Sequence, residues 1–323
     1  MKHFKLIVVM VIMSFAGFSQ AAKEQTDTAA QKAILVTGAS SGIGLRMTQL
    51  LSQNGFYVYA GVLHKDEMGA LNALDNVTAV QFDVRKQDEI DAAAKFVQAQ
   101  GRGLYGLINN AGVSIFGPMI ELPVEQLEYQ MDVNVYGPFR VTQAFAPLIM
   151  ESKGRIATTG SIAGILSPAF MGAYSMSKHA IEAYTDAMAQ EMARYDVSVH
   201  VIEPGNYGTN IGNAAKQRLL AQNYWNEKSR YNKERQGLLA RLDQTEKGPD
   251  PIDVAEAALH LMQSDSPKSR YMVTATPAQA DITLRRQISK MLELNAEQVH
   301  QFNREQLIKL LDEELAKTSG SKK

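Results

Sequence analysis

The sequence predicts an α/β fold built on a doubly wound parallel sheet, with helices on both faces and a C-terminal helical extension. Three observations carry that reading. Short apolar runs rich in β-branched residues, such as Ile34 to Val36 and Val197 to Ile202, suit strands buried on both faces. Segments of helical period lie between them, and such alternation means βαβ units, right-handed crossovers and a parallel sheet. The first run passes directly into a Gly/Ser-rich turn, Thr37 to Gly44, and then into apolar residues at helical spacing from Leu45 to Gln53. At 323 residues the chain has room for one large α/β domain or two small ones, ample for a buried core.

Lys2 and Lys5 precede an apolar run from Leu6 to Phe18, and Ser19-Gln20-Ala21 puts small residues where a signal peptidase cuts. The run falls short of the roughly 20 residues that span a bilayer. Residues 1–21 therefore read as a secretory signal, with an uncleaved N-terminal anchor as the alternative. Residues 22–31 read as a disordered polar linker. After the glycine turn, Gly55 ends a helix and Tyr57 to Val62 forms a second strand. A weak helix over Lys65 to Leu74 leads to a third strand, Val77 to Phe82, closed by Asp83. Gln87 to Gln100 is an amphipathic helix, and Leu104 to Ile108 a fourth strand. Val124 to Met150 reads as one long helix, Arg155 to Thr159 as a fifth strand, Ala173 to Tyr195 as a helix and Val197 to Ile202 as a sixth strand. Pro251 to Met262 is helical, and Arg270 to Thr274 a last short strand that completes a domain over residues 32–275.

Within that domain, residues 205–248 are polar and punctuated by Tyr207, Tyr224, Trp225 and Tyr231. They read as a helical lid over a substrate site. A solvated helix pair has the same texture, but such insertions gather beyond the carboxyl ends of parallel strands. Ala278 to Leu294 and Ala296 to Ala316 read as two helices of an extension over residues 276–323.

Composition narrows the chemistry. A net charge of −1 gives no field to attract nucleic acid. Without cysteine there is no disulfide and no thiolate metal site, and the six histidines show no zinc-helix spacing. The 15 methionines read as core filler or adaptable pocket lining.

Strand, glycine turn and helix are the context in which a loop holds a pyrophosphate. Gly38 permits the sharp turn, Gly42 the approach of backbone to phosphate, and Gly44 close packing of helix on strand. Free N–H groups around Ser40, Ser41 and Ile43 and the positive end of the new helix then face the anion. Downstream, Asp83-Val84 is placed to meet an adenine amine. Asn109, Asn110, Ala111 and Gly112 brace neighbouring strands and let the backbone approach an adenine ribose. Pro204, Gly205 and Thr209 are placed to hold a nicotinamide carboxamide.

Tyr174 and Lys178 are four residues apart on one expected helix, so both project from the same face. Tyr-x-x-x-Lys is common by chance, but its chemistry is specific. A phenol near pKa 10 is a poor base at neutral pH, and an ammonium close by favours the phenolate and lowers that value. Ser161, at the end of the fifth strand, can hold a substrate oxygen against the tyrosine. Asn134 stands inside the long helix, where asparagine is unfavourable, and a break there would free a carbonyl for a water behind Lys178. His179 projects about 100° around the helix from Lys178 and reads as structural. Phe116, Phe170, Met171 and Tyr207 flank these motifs as candidate walls of a substrate pocket.

In order and spacing, Thr37 to Gly44, Asn109 to Gly112, Asn134, Ser161, Tyr174-x-x-x-Lys178 and Pro204-Gly205 resemble the short-chain dehydrogenase/reductase family over about residues 32–275. The resemblance implies a Rossmann sheet and a tetrad. Asn134 would support a water relay, Ser161 would orient the carbonyl, and Tyr174 would be the acid/base. Lys178 would lower its pKa and hold the nicotinamide ribose. The texture of Tyr59 to Leu63 and of Ile202 to Asn206 is similar to the retinol, hydroxysteroid and mitochondrial hydroxybutyrate dehydrogenase branch. The expected activity is hydride transfer between NAD or NADP and a small-molecule secondary alcohol or ketone, with a lipid-, steroid- or retinoid-like substrate. The branch points to NAD, whereas Val62 and Leu63 at the ribose corner are neither acid nor arginine and His64 and Lys65 lean towards NADP; NAD is slightly favoured. The family also implies a homodimer or homotetramer. The N-terminal segment implies export to a periplasm or membrane association, with a cytoplasmic chain if it is no signal. The rival reading is a dinucleotide-binding regulatory or scaffold protein without catalysis.

Overall fold

Seven parallel strands form one sheet in the computed structural model, which describes residues 31–320. The strands are β1 (Ala33–Thr37), β2 (Tyr57–Val62), β3 (Val77–Gln81), β4 (Gly106–Asn109), β5 (Arg155–Thr159), β6 (Ser198–Pro204) and β7 (Arg270–Val273). Their order is β3-β2-β1-β4-β5-β6-β7, so the doubly wound sheet is as expected. β1 pairs with β2 on one side and β4 on the other, Val36 lying opposite Ala60 and Ile108. The direction of winding reverses at that point, and ligands bind such sheets in the crevice outside the carboxyl ends there.

Residue alternation explains both cores. Ile34 and Val36 point to one face and Leu35 to the other, all three fully buried. The first face is covered by α1 (Gly42–Gln53) and α9 (Ile252–Gln263), through Met47, Leu51, Val254 and Leu261. The second is covered by α3 (Gln87–Ala99), α5 (Gly137–Glu151) and the end of α6 (Gly172–Met192), through Ile90, Val97, Val141, Phe145 and Met192. Each such side chain contributes about 1.5–3 kcal/mol on burial. The weak helix after β2 shortens to a 3₁₀ turn, Lys65–Glu67, and a five-residue α2 (Met68–Asn72).

The long helix expected over Val124 to Met150 is interrupted. It consists of α4 (Val124–Met131), a π turn (Asp132–Tyr136) and α5. Two residues explain the widening. Pro138 has no N–H to give to the Asn134 carbonyl, as an α-helix requires. Asn134 meanwhile directs its side chain away to the Val113 backbone. π turns of this kind recur at functional sites.

Residues 205–248 contain α7 (Ile211–Gln222) and α8 (Asn232–Leu242), which form a small core of their own from Ala215, Leu219, Trp225, Leu238 and Leu242 with Phe116. A second compact unit begins at Thr276 and holds α10 (Pro277–Asn295) and α11 (Arg304–Gly320). The last helix starts eight residues later than expected. The Asn295 side chain closes residues 296–303 into a loop by bonding both the N–H and the carbonyl of Phe302 at 2.9 Å. Asn303 and Gln306 then cap each other's N–H groups at the new helix start. The signal or anchor expected over residues 1–21, and the linker up to residue 30, lie outside the described residues. Among the described residues no helix is long and apolar enough to cross a membrane.

Candidate active site

The crevice is assembled by backbone bonding at the strand ends. Thr37 Oγ1 accepts from the N–H groups of Asn110 and Ala111 at 2.9 and 3.0 Å, tying β1 to the end of β4. Asn110 returns its Nδ2 to the carbonyls of Thr37 and Gly38 and accepts from Thr159 Oγ1 on β5 at 3.2 Å. Its bracing role, expected from sequence, spans three strands. Packing here leaves no room for side chains: a Cβ on Gly44 would lie 2.1 Å from the Gly38 carbonyl, and one on Gly38 2.8 Å from the Ala111 Cα. Gly38 and Gly42 also have φ of +64° and +53°, the left-handed region that favours glycine.

α1 starts at this loop with neither a side-chain cap from Ser41 nor an acid in its first turn. Its leading N–H groups therefore remain for an anion, and the residues present fit a dinucleotide pyrophosphate. Thr209 lies against Gly42, and the Gly205 N–H is held by the Val273 carbonyl at 2.7 Å. Gly112 faces the Asn134 side chain, and Val84 packs against Gly137.

Asp83 departs from its expected role. Its carboxylate is clamped by Arg85, through the backbone N–H at 2.9 Å and through Nε at 3.0 Å to both oxygens. Burial works against the charge, but the Arg85 bonds prevail and hold the group below the ordinary carboxylate range. Little acceptor capacity is left for an adenine amine. The end of β2 offers exposed Leu63, His64 and Lys65, with neither acid nor arginine at the corner itself.

The four expected catalytic side chains come together where β5, β6, α6 and the π turn meet. Ser161 caps a 3₁₀ turn, its Oγ accepting from the Ala163 N–H at 3.1 Å and lying 3.5 Å from the Pro204 carbonyl. The Ser161 side chain faces the Tyr174 hydroxyl closely enough to lower its pKa. Lys178, 6% exposed, donates from Nζ to the Thr159 carbonyl at 2.7 Å and lies 5.7 Å from the centre of the Tyr174 ring. Asn134 accepts from the Val113 N–H at 2.8 Å and donates to the Val113 carbonyl and to Ser177 Oγ, joining the π turn to α6.

The electrostatics correct one expectation. In the chain alone, burial pushes the Tyr174 phenol up, and only the Ser161 bond opposes it. Lys178 is not among the groups that shift the phenol; burial lowers its own pKa to about 8, against the opposing pull of Glu182. At neutral pH the site holds a phenol and an ammonium.

Three positioning residues escaped the sequence reading. Gln130, fully buried one turn before Asn134, accepts from the Ile115 N–H at 2.7 Å and donates to the Val113 carbonyl at 2.9 Å. Two amides at i and i+4 on a buried face were the available signal. Glu182, one turn beyond Lys178, is tucked under Gly160 and Gly164, where a Cβ would come within 3.0 and 2.9 Å of its carboxylate. It stands beside Glu203 of β6, 3% exposed, with Arg270 of β7 at 3.3 Å. Burial, then the neighbouring Glu203 charge, pushes Glu182 up to about 7, and burial raises Glu203 as well. His179 bonds the Ser175 carbonyl at 2.9 Å through Nδ1.

Of the expected pocket walls, Phe116, Phe170 and Met171 pack with the small core of residues 205–248. Tyr207 does not. It is buried in the main core with its hydroxyl on Asp253 at 3.2 Å, because the chain turns back under α9.

Comparison with known proteins follows the same lines. The family profile described as short chain dehydrogenase matches residues 32–219. The mitochondrial D-beta-hydroxybutyrate dehydrogenase of Bos taurus is 32% identical over 267 residues, 76% of this chain and 77% of that one. A 3beta-hydroxysteroid dehydrogenase of Caenorhabditis elegans is 36% identical over 219 residues, 64% of this chain and 56% of its own. The structure of an actinorhodin polyketide ketoreductase with NADPH superposes with a TM-score of 0.65 at 25% identity, covering 78% of this chain and 98% of that one. The chain belongs to the short-chain dehydrogenase/reductase family. It is an oxidoreductase that uses NAD or NADP on an alcohol/ketone pair.

Two outcomes are expected. Gly44→Ala forces the backbone apart at the crevice, so it should lower the melting temperature and weaken dinucleotide binding, whereas Gly69→Ala, whose Cβ would meet nothing within 4 Å, should do neither. The carboxyl pair, with folded pKa values above the unfolded value, adds stability that is complete below about pH 4.5 and lost as pH rises through about 7. Denaturant unfolding from pH 5 to 8 should therefore show wild type losing about 2–3 kcal/mol relative to Glu182→Gln. Parallel pH curves would refute the buried pair.

Proposed function

We propose that Tyr174 exchanges the proton of the reaction, Ser161 holds the substrate oxygen, and Lys178 and Asn134 set up both. The observation that carries this reading is Lys178, buried and held on the Thr159 carbonyl one turn beyond Tyr174 on the same helix, with Ser161 facing the tyrosine. When bound, the nicotinamide supplies or accepts the hydride. Gly38, Ser40, Ser41, Gly42, Ile43 and Gly44 would cradle its pyrophosphate. Asn110, Ala111 and Gly112 would border the adenosine, and Pro204, Gly205 and Thr209 the nicotinamide.

In reduction the Tyr174 O–H bond breaks and its proton passes to the carbonyl oxygen; in oxidation the phenolate takes it back. Ser161 Oγ accepts from Ala163, and its own hydrogen goes to the Pro204 carbonyl at 3.5 Å, a long bond that a substrate oxygen would replace. Burial that keeps the phenol protonated suits the donor role. For the base role a positive charge must face the phenolate, and Lys178, protonated at pH 7, is the cation built into the site. The Asn134 side chain fixes Val113 and, through Ser177, whose hydroxyl donates to the Tyr174 carbonyl at 2.7 Å, the helix that carries the acid.

An apolar substrate body is favoured by the wall of Phe116, Phe170, Met171 and Trp225 beneath α7 and α8. Exposed Tyr136, Phe139 and Met176 on the faces beside Asn134 and Tyr174 support pairing with a second copy of the chain, which light scattering of Phe139→Asp would break if correct. Export or anchoring by residues 1–21 is read by fractionation with N-terminal sequencing. For the chemistry, Tyr174→Phe should leave NADH or NADPH binding intact in a fluorescence titration. Turnover of a secondary alcohol should fall by roughly 10²–10⁴-fold. Turnover near the wild-type rate would remove Tyr174 from the reaction.

A further inference from the structure

Arg235 lies on α8, on the face that also carries Leu238 and Leu242 at i+3 and i+7. It is 8% exposed. Arginine buried to that degree is ordinarily paired, because an unpaired buried charge is costly. Here Nε donates to the Trp225 carbonyl at 2.6 Å, and among the described residues no carboxylate pairs with the guanidinium and no hydrogen bond reaches its terminal nitrogens. Two other cations of this segment are used: Lys216 pairs with Asp243, and Arg218 donates to Gln126 and stacks 3.6 Å over the Tyr129 ring.

A continuous path of contacts leads from Arg235 to the catalytic helix. Trp225, 1% exposed, stacks on Phe170 with centroids 5.3 Å apart, and Tyr231 meets the same ring edge-on at 5.5 Å. Phe170 stands four residues before Tyr174 with φ of +68°, a costly conformation for a bulky residue. The two aromatic contacts and the Gly117 N–H, bonded to its carbonyl at 2.9 Å, hold it there. The strain fixes the aromatic wall, and with it the guanidinium, relative to the start of α6.

The geometry points to Arg235 as the anchor for a substrate carboxylate, so that the substrate is a hydroxy or keto acid whose apolar chain lies along Phe116, Phe170 and Trp225. With Nε engaged, the two terminal nitrogens present the end-on fork that matches a carboxylate bidentately. One cation in an apolar wall balances a monoanion, which favours carboxylate over a doubly charged phosphate. The inference rests on the reading of this site as an alcohol/ketone oxidoreductase.

The test uses the full chain with its dinucleotide and straight-chain hydroxy acids of graded hydroxyl-to-carboxylate spacing, each beside its methyl ester, with 2-octanol as a neutral alcohol. At the matching spacing, kcat/KM should favour acid over ester by about 10- to 100-fold. Arg235→Met should collapse that ratio towards one, and Arg235→Lys should keep part of it. Equal use of acid and ester by wild type at every spacing overturns the anchor even if the variants fail to fold, and so does an unchanged ratio in folded Arg235→Met. In those cases neutral-alcohol turnover that Tyr174→Phe abolishes leaves the oxidoreductase reading standing. No turnover of 2-octanol, acid or ester by wild type with dinucleotide bound removes that reading and the anchor together.

Discussion

Everything at this site depends on β1 being paired on both sides by parallel strands whose connections leave in opposite directions. The right-handed crossover that suits twisted strands carries one run of connections away over β2 and β3 and the other over β4 to β7. The chain leaving β1 turns to one face and the chain leaving β4 to the other, so a crevice opens at the carboxyl ends of β1 and β4. The strand ends exposed there need partners for their backbone groups, and Thr37 and Asn110 supply them. Bracing by side chains rather than by a covering loop leaves the start of α1 open. The glycines follow from the same closeness, since Gly44 packs against the carbonyl of Gly38 with no space for a Cβ.

Burial then sets the chemistry. Taking Tyr174 and Lys178 out of water raises the one and lowers the other, so each is moved towards its neutral form. The lysine is kept from full neutralisation by the pull of Glu182 one turn further along the helix, which stands in a pair with Glu203. That pair is itself held only by Arg270, and burial keeps it partly protonated near neutrality. Glu203 and Arg270 thus act on Glu182, and Glu182 in turn on Lys178.

Much of this was legible in the sequence for a physical reason. Central parallel strands such as β1 and β2 are mostly apolar and β-branched, so their runs stand out, and all seven strands were found to within a few residues. The closeness of Ser161, Tyr174 and Lys178 was legible because they sit beyond a strand end and one helical turn apart. The π turn was hidden, because apolar periodicity continues through it and only Asn134 and Pro138 mark the disturbance. The sign of the Tyr174 shift was hidden too, since spacing gives a distance but not the dielectric around it. Asp83 was misread because its partner, Arg85, lies two residues on in a turn whose geometry the sequence does not state. Tyr207 was misread because adjacency to Gly205 says nothing about which way the chain turns next.

Residues 205–248 show why composition reads a lid but not its chemistry. The stretch Asn232 to Arg235 looks like any solvated charged helix end, and its mean polarity hides that Arg235 shares a face with Leu238 and Leu242. That face is buried by Trp225 and, through it, by Phe170, whose left-handed backbone stores strain beside the catalytic helix. Strain of this kind persists only where surrounding contacts over-determine it. Here those contacts come from two segments far apart in sequence, and each loses its packing if the other moves. Residues 205–248 and the start of α6 are therefore ordered together.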